Sequence, residues 1–314
     1  EAVFINDRIY LNDVTTAVLG ARYDSYDQKA KTDALHARNN IFGHEVKPRS
    51  DSQVSMKVGL IRDISGDMSL FLQYAEGYRN PNFDEAYNTY TNLAQMYTII
   101  PNPDITAETS EGFEIGLRGS LSNTSWSLAY YKNDYKDFIA YEYLFPPIQG
   151  VLQVQYQNLG SVETNGVEFE SKTVFNDNFS ASFGLSLNEG KEDDGYLDSL
   201  SPDHAKISLS WISDSGRLRW NTNSTLMKSS RSSLTPVCSR SGICSPAQET
   251  AGRVTLDTYL NFDITKKVNI KFGVRNLTDV KYWDYPTVAG QAEGTADEYL
   301  MPGRNMSFSI KYTL

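Results

Sequence analysis

The stretch Phe179-Ser-Ala-Ser-Phe-Gly-Leu-Ser-Leu-Asn188 decides the fold. Apolar residues occupy every second position, and a two-residue period puts them on one face of an extended strand. The pattern repeats outward in both directions. Ile207, Leu209 and Trp211 alternate with polar residues, as do Val268, Ile270, Phe272 and Val274. So do Met306, Phe308, Ile310, Tyr312 and Leu314 at the C-terminus, and Phe113, Ile115 and Leu117 upstream. Helical spacing is nearly absent. The chain reads as all-β.

Alternation serves two architectures. A soluble sandwich turns the apolar face inward; a membrane barrel turns it outward to lipid around a polar lumen. The connections separate them. Strands are expected at about 2–11, 14–27, 52–63, 67–79, 109–121, 124–143, 152–174, 177–190, 203–213, 217–229, 253–264, 267–278 and 301–314. Short turns such as Asn12-Asp13, Ser65-Gly66, Ser122-Asn123, Asn176-Asp177, Asp214-Ser215-Gly216 and Thr265-Lys266 suit tight hairpins. They alternate with long connections at about 28–51, 80–108, 144–151, 191–202, 230–252 and 279–300. All long loops then lie at one end of the sheet, as in transmembrane β-barrels. Thirteen strands is an odd number, whereas bacterial single-chain barrels are even. The expectation is therefore antiparallel strands only, in the C-terminal part of a larger barrel, with Ile270, Phe272, Phe308 and Ile310 facing outward.

Composition agrees. The 314 residues are 40% hydrophobic and 12% aromatic, which argues against disorder. A net charge of −10 and a pI of about 4.9 leave no basic stripe for nucleic acid. No apolar run reaches the ~18 residues of a membrane helix, and no secretory signal opens the sequence at Glu1. No Ser-His-Asp grouping, P-loop or nucleotide fingerprint appears, so no enzyme is expected.

Particular segments carry a family resemblance. Tyr74-Ala-Glu-Gly-Tyr-Arg-Asn-Pro-Asn-Phe-Asp-Glu-Ala-Tyr87 resembles the "FRAP" box of TonB-dependent outer-membrane receptors, especially those for haem and haemoproteins, with Asn80, Pro81 and Asn82 at its centre. Asn102-Pro103 and the residues through Arg118 are similar to the "NPNL" box and the strand after it. Tyr130–Ile139, Asn158–Glu168 and Val274–Tyr285 are similar to later strands, and Phe4–Tyr26 also fits. The resemblance spans the chain in order. It implies a partial TonB-dependent receptor β-barrel domain over 1–314, about thirteen strands of a 22-stranded bacterial outer-membrane barrel, with plug and TonB-contact segment outside these residues. It implies outer-membrane lipid and the TonB energy-coupling complex as partners. The implied ligand is haem or a haemoprotein, with haem transported rather than kept as a cofactor.

One departure bears on the ligand. Haem receptors of this family carry a histidine between the two boxes; residues 80–103 hold none. Phe83, Tyr87, Tyr90 and Tyr97 are the candidate aromatic faces there, the tyrosines as loop-packing or ligand-stacking residues with iron ligation also possible for one of them, and Arg79 is the candidate for a propionate. His36 and His44 in loop 28–51 and His204 are candidate iron ligands or solvated loop residues. The metal-ligating residue is not identified. A ferric-siderophore or cobalamin receptor is the alternative within transport, and a passive porin or adhesin-type barrel the alternative outside it. Cys238 and Cys244 read as a structural disulfide in an extracellular loop, against a free thiol pair. Tyr282, Trp283 and Tyr285 read as an interfacial aromatic cluster.

Overall fold

The alternation becomes a two-faced ladder in the computed structural model, which describes residues 1–158, 160–192, 195–197, 200–230, 237–238 and 244–313, without the side chains of Tyr196 and Cys238. Among these residues one long sheet runs in sequence order through β1 (Ala2–Asn12), β2 (Thr15–Gln28), β3 (Arg49–Ser65), β4 (Met68–Arg79), β5 (Glu108–Leu121), β6 (Thr124–Lys136), β7 (Ser161–Val174), β8 (Phe179–Glu192), β9 (His204–Ile212), β10 (Leu218–Met227), β11 (Arg253–Asp263), β12 (Val268–Arg275) and β13 (Asn305–Tyr312). Gly195–Tyr196 pairs back on β8. Thirteen strands were expected, and all but two of them lie close to these bounds. Leu314, the last expected strand residue, lies outside the described residues.

Two compact units divide the chain. The second unit holds residues 62–71, 115–131 and 164–314. Its pairing from β8 to β13 is antiparallel throughout. Directly paired residues share a face, so the registers draw one apolar row across six strands: Phe179, Trp211, Trp220, Leu260, Phe272 and Phe308. The next row, one residue along, is Ser180, Ser210, Asn221, Tyr259, Gly273 and Ser307. Phe272, Phe308 and Ile310 are exposed, and Ile270 partly so. These four side chains lie in no closed core. Among the described residues no helix is long and apolar enough to cross a membrane.

The first unit holds residues 1–61, 72–114 and 132–163. It corrects the strand reading in two places. The expected strand 124–143 is broken at Asp137, whose φ of 56° is left-handed and turns the chain away from the sheet. The expected strand 152–174 is two strands, Val151–Asn158 and β7. Residues 144–151 are therefore no long loop; Gln149 and Gly150, both at positive φ, close a tight hairpin inside a longer excursion. Its arms, Ile139–Ile148 and Val151–Asn158, join Tyr90–Asn92 and Tyr97–Ile100 in a separate four-stranded sheet. There Tyr97–Ile100 runs parallel to Leu152–Gln155. The antiparallel-only expectation fails at this pair. Parallel pairing needs a long crossover, here the 50 residues between Ile100 and Val151, and local sequence does not announce it.

Candidate functional site

The two boxes are structural before they are anything else. Asn82 starts a short helix, α1 (Phe83–Tyr87 here), by accepting from the Glu85 amide at 2.9 Å, while Glu85 accepts from the Asn82 amide at 2.8 Å. This reciprocal box satisfies two amides that five helical residues could not. Pro81 is buried, and its carbonyl accepts from Gln28 Nε2 at 3.1 Å and Asn80 Nδ2 at 3.2 Å. In the second box Asn102 Nδ2 donates to the Tyr156 carbonyl at 2.7 Å, and its Oδ1 accepts from the Asp104 amide at 3.0 Å. Pro103 follows it, half-buried. Between the boxes lies the unit's small core: Ala86, Tyr87, Ile105 and Ile139, with Ala30, Val46 and Tyr156 against it.

Arg79 ends β4 at the centre of this body. Its guanidinium binds Glu108 with Nε–Oε2 at 2.5 Å and Nη2–Oε1 at 2.6 Å, and Nη1 reaches both Glu85 oxygens at 2.9 Å. Glu108 also accepts from the Ile139 amide at 2.7 Å. The expected propionate partner is therefore saturated by two carboxylates and ties four segments together. Tyr87 takes the loop-packing place. It is 2% exposed, its ring packs 5.0 Å from that of Phe83, and its hydroxyl lies 3.4 Å from the Gln28 carbonyl. Burial raises its phenol pKa, which disfavours the tyrosinate that iron ligation needs.

The histidines of loop 28–51 turn inward. His36 lies in a one-turn helix, Ala34–Asn39, with Nε2 enclosed and without a partner among the described residues. His44 Nε2 stands 3.1 Å from Gln153 Nε2, and burial lowers the ring's pKa. His204 belongs to the second unit, where its Nδ1 lies 3.2 Å from the Pro202 carbonyl. Loop 28–51 is further fastened through the Asn39 carbonyl to Thr91 Oγ1 and through Arg49 to the Ile105 carbonyl at 2.6 Å.

Tyr90 and Tyr97 are placed differently. Their rings lie 6.0 Å apart on one face of the small sheet. The registers set Tyr90, Ile99, Val154 and Tyr143 in one row, and Tyr156 opposite Tyr141 in another. Five tyrosines thus share a face. Tyr141 and Tyr156 meet edge to face at 4.6 Å, and burial with its tyrosine neighbours pushes the Tyr141 phenol up to about 12. Sequence reasoning missed Tyr141, Tyr143 and Tyr156 because it assigned them to barrel strands; the tyrosines at 141 and 143 were the available signal. Phe83, Tyr90, Tyr141 and Tyr143 are exposed.

In the second unit, the cluster read as interfacial packs a loop instead. Tyr285 is buried, Trp283 Nε1 donates to the Ala296 carbonyl at 2.7 Å, and Arg253 stacks 4.3 Å above Tyr282 while pairing Asp284 at 3.0 Å. Cys238 and Cys244 stand opposite each other in a two-residue ladder; the Cys238 side chain, and so the expected bridge, lies outside the described residues.

Comparison with known proteins places this geometry. The haemoglobin-haptoglobin utilization protein B of Neisseria meningitidis serogroup A is 25% identical over 98% of this chain and 42% of its own length. The haemoglobin-binding protein A of Haemophilus influenzae is 25% identical over 80% of the chain and 28% of its own length. Among solved structures, the copper transporter OprC superposes with a TM-score of 0.74 at 17% identity, covering the whole chain and 49% of that protein. The ferric enterobactin receptor of Pseudomonas aeruginosa does so at 0.73 and 18%, over 100% and 44%. The chain thus spans under half the length of these relatives. The family described as TonB dependent receptor-like, beta-barrel matches residues 1–277. The thirteen-stranded meander, the ordered boxes and that match agree: the chain belongs to the TonB-dependent receptor β-barrel family of the bacterial outer membrane.

Proposed function

We propose that residues 1–314 are barrel wall and extracellular loops of a receptor that takes up haem, captured from a haemoprotein, by TonB-driven transport. The observation that carries this reading is the aromatic face of the small sheet, held on a body that the two boxes build at the long-loop end of β4 and β5. Aromatic faces suit a flat apolar macrocycle. Support for the ligand class comes from the relatives, which are named for haemoglobin and haemoglobin-haptoglobin. Tyr90, Tyr97 and Phe83 are the contacts proposed from this chain, with Arg79, Tyr87, His36 and His44 holding the body that presents them. Haem is cargo in this reading. Work is supplied through a plug and the TonB complex, and no catalysis is involved. Family membership sets aside the passive porin and the adhesin-type barrel.

The siderophore reading has one observation in its favour: the inter-box segment holds no histidine. Growth of an iron-starved, receptor-deficient strain carrying the full-length receptor, with haemin, haemoglobin or a ferric chelate as the iron source, separates the two. Growth on haemin or haemoglobin, lost in the Tyr90→Ala/Tyr97→Ala variant at unchanged surface level, is expected. Growth only on ferric chelates would replace the haem reading with the siderophore one.

A further inference from the structure

The small sheet ends in a projection that small-ligand capture leaves unused. Its hairpin closes on Gln149 and Gly150, whose φ values of 51° and 78° form a tight two-residue turn. Beside it stands the Leu93–Met96 turn, held by the Leu152 amide donating to the Met96 carbonyl at 2.9 Å. The projection is thus braced by backbone bonds, and its tip is apolar. Phe145 is 76% exposed, Tyr143 and Leu93 each 59%, and Ile148 and Met96 are exposed as well. Single exposed apolar residues are ordinary, but five on one braced tip are not.

Charge decides what the tip fits. Residues 86–103 and 143–158 carry no charged side chain, in a chain where 22% of residues are charged. The exposed charge at the foot of the same face is a carboxylate: Asp84 acts electrostatically on both Tyr141 and Tyr156. Arg79, at the base of the excursion, is already bound by Glu85 and Glu108, and Arg49 is turned to the Ile105 carbonyl. The tip itself, Leu93–Met96 and Tyr143–Gly150, therefore offers no charged side chain to the propionates of free haem or to an anionic ferric chelate. A neutral apolar centre with an acidic margin instead complements a protein surface that is apolar at its centre and basic at its edge.

We infer that the tip formed by Leu93–Met96 and Tyr143–Gly150 docks a globular haem-carrying protein, with Phe145 and Ile148 at its end lying beyond the Tyr90–Tyr97 pair on which haem itself stacks. This rests on the haemoprotein reading above. Exposed aromatic and aliphatic anchors on a rigid support are the residues that dominate such interfaces.

The test uses the full-length receptor on cells, with haemoglobin and haemin as probes and antibody labelling of surface level. Phe145→Ser/Ile148→Ser alters only exposed tip residues. It should weaken haemoglobin binding at least tenfold and leave haemin uptake unchanged. Asp84→Asn should flatten the dependence of haemoglobin binding on salt. Parent-like haemoglobin binding by the double variant overturns the docking site while the haemoprotein reading stands. A parallel fall in haemin uptake at normal surface level also overturns it, by merging the two surfaces. A parent receptor that binds no haemoglobin overturns the haemoprotein reading, and the docking assignment with it.

Discussion

Arg79 holds Glu108 in a two-bonded fork, Nε to Oε2 at 2.5 Å and Nη2 to Oε1 at 2.6 Å, joining the last residue of β4 to the first of β5. The 28 residues between them leave the barrel strands and return at this pair. The third guanidinium nitrogen takes Glu85, the residue that closes the helix box with Asn82. One side chain therefore sets both the base and the first turn of the excursion.

Arg79→Ala should loosen residues 80–108 without unfolding the strands. Glu85 and Glu108 are largely buried and would be left without their cation, while Arg79 itself is 44% exposed and partly screened. A local loss of about 2 kcal/mol lies between the exposed and buried limits for such pairs. Arg79→Lys should restore little of it, because an ammonium cannot reproduce the planar fork. Hydrogen exchange across 80–108 in the full-length receptor measures both.

Tyr87 gives a sharper discrimination. If it is a core residue, Tyr87→Phe should change little, since its hydroxyl contact of 3.4 Å is weak. Tyr87→Ala should cost roughly 3 kcal/mol locally, as for other buried aromatics. An iron ligand would behave in reverse, with Phe abolishing the charge-transfer bands of bound ferric haem. We expect haem spectra of Tyr87→Phe to match those of the parent.

His44 should make loop 28–51 sensitive to acid. Burial lowers its pKa below 6.5, so the unfolded loop binds the proton more readily than the docked one. The stabilisation is then fully present above about pH 6.5 and is lost as pH falls through the depressed value. Protonation would also set an N–H against the Gln153 amide at 3.1 Å. Amide protection factors around 40–46, referred to the intrinsic exchange rate at each pH, should fall between pH 7.5 and pH 5. His44→Gln should remove that pH dependence, and an unchanged slope would count against the assignment.

The barrel strands were legible because period two survives wherever one face meets lipid or core, as from Phe179 to Phe308. The loop interior was not, for a physical reason visible at Asp137. Tyr141 and Tyr143 alternate as Trp126, Leu128 and Tyr130 do but in the opposite phase, and the adjacent Tyr130 and Tyr131 blur that shift. Only the left-handed backbone at Asp137 divides the two strands. The parallel pairing of Tyr97 with Leu152 joins residues 55 apart and leaves no local trace. The boxes were visible as motifs, but their asparagines and arginine read as ligand groups. In the fold these groups satisfy each other, which is what polar residues beside a small core must do.

The cysteines supply a prediction that chemistry can settle directly. Cys238 and Cys244 are directly opposed in an antiparallel ladder. Opposed residues there have Cα atoms about 4.5–5.5 Å apart, inside the ~4.4–6.8 Å window of a disulfide. The outer surface of a bacterial envelope is oxidising, so the pair should be bridged. Closing so small a ring stabilises by about 2 kcal/mol in the chain-entropy account, enough to fix the turn but too little to hold the barrel. Arg240 lies between the two cysteines and Arg231 and Arg253 flank them, so trypsin yields one cysteine in 232–240 and the other in 241–253. Without reduction, mass spectrometry of the full-length receptor should find these peptides joined, and reduction should part them. Recovery of both as separate alkylated peptides before reduction would rule the bridge out. Cys238→Ser/Cys244→Ser should leave the receptor in the membrane with this one loop more open to protease.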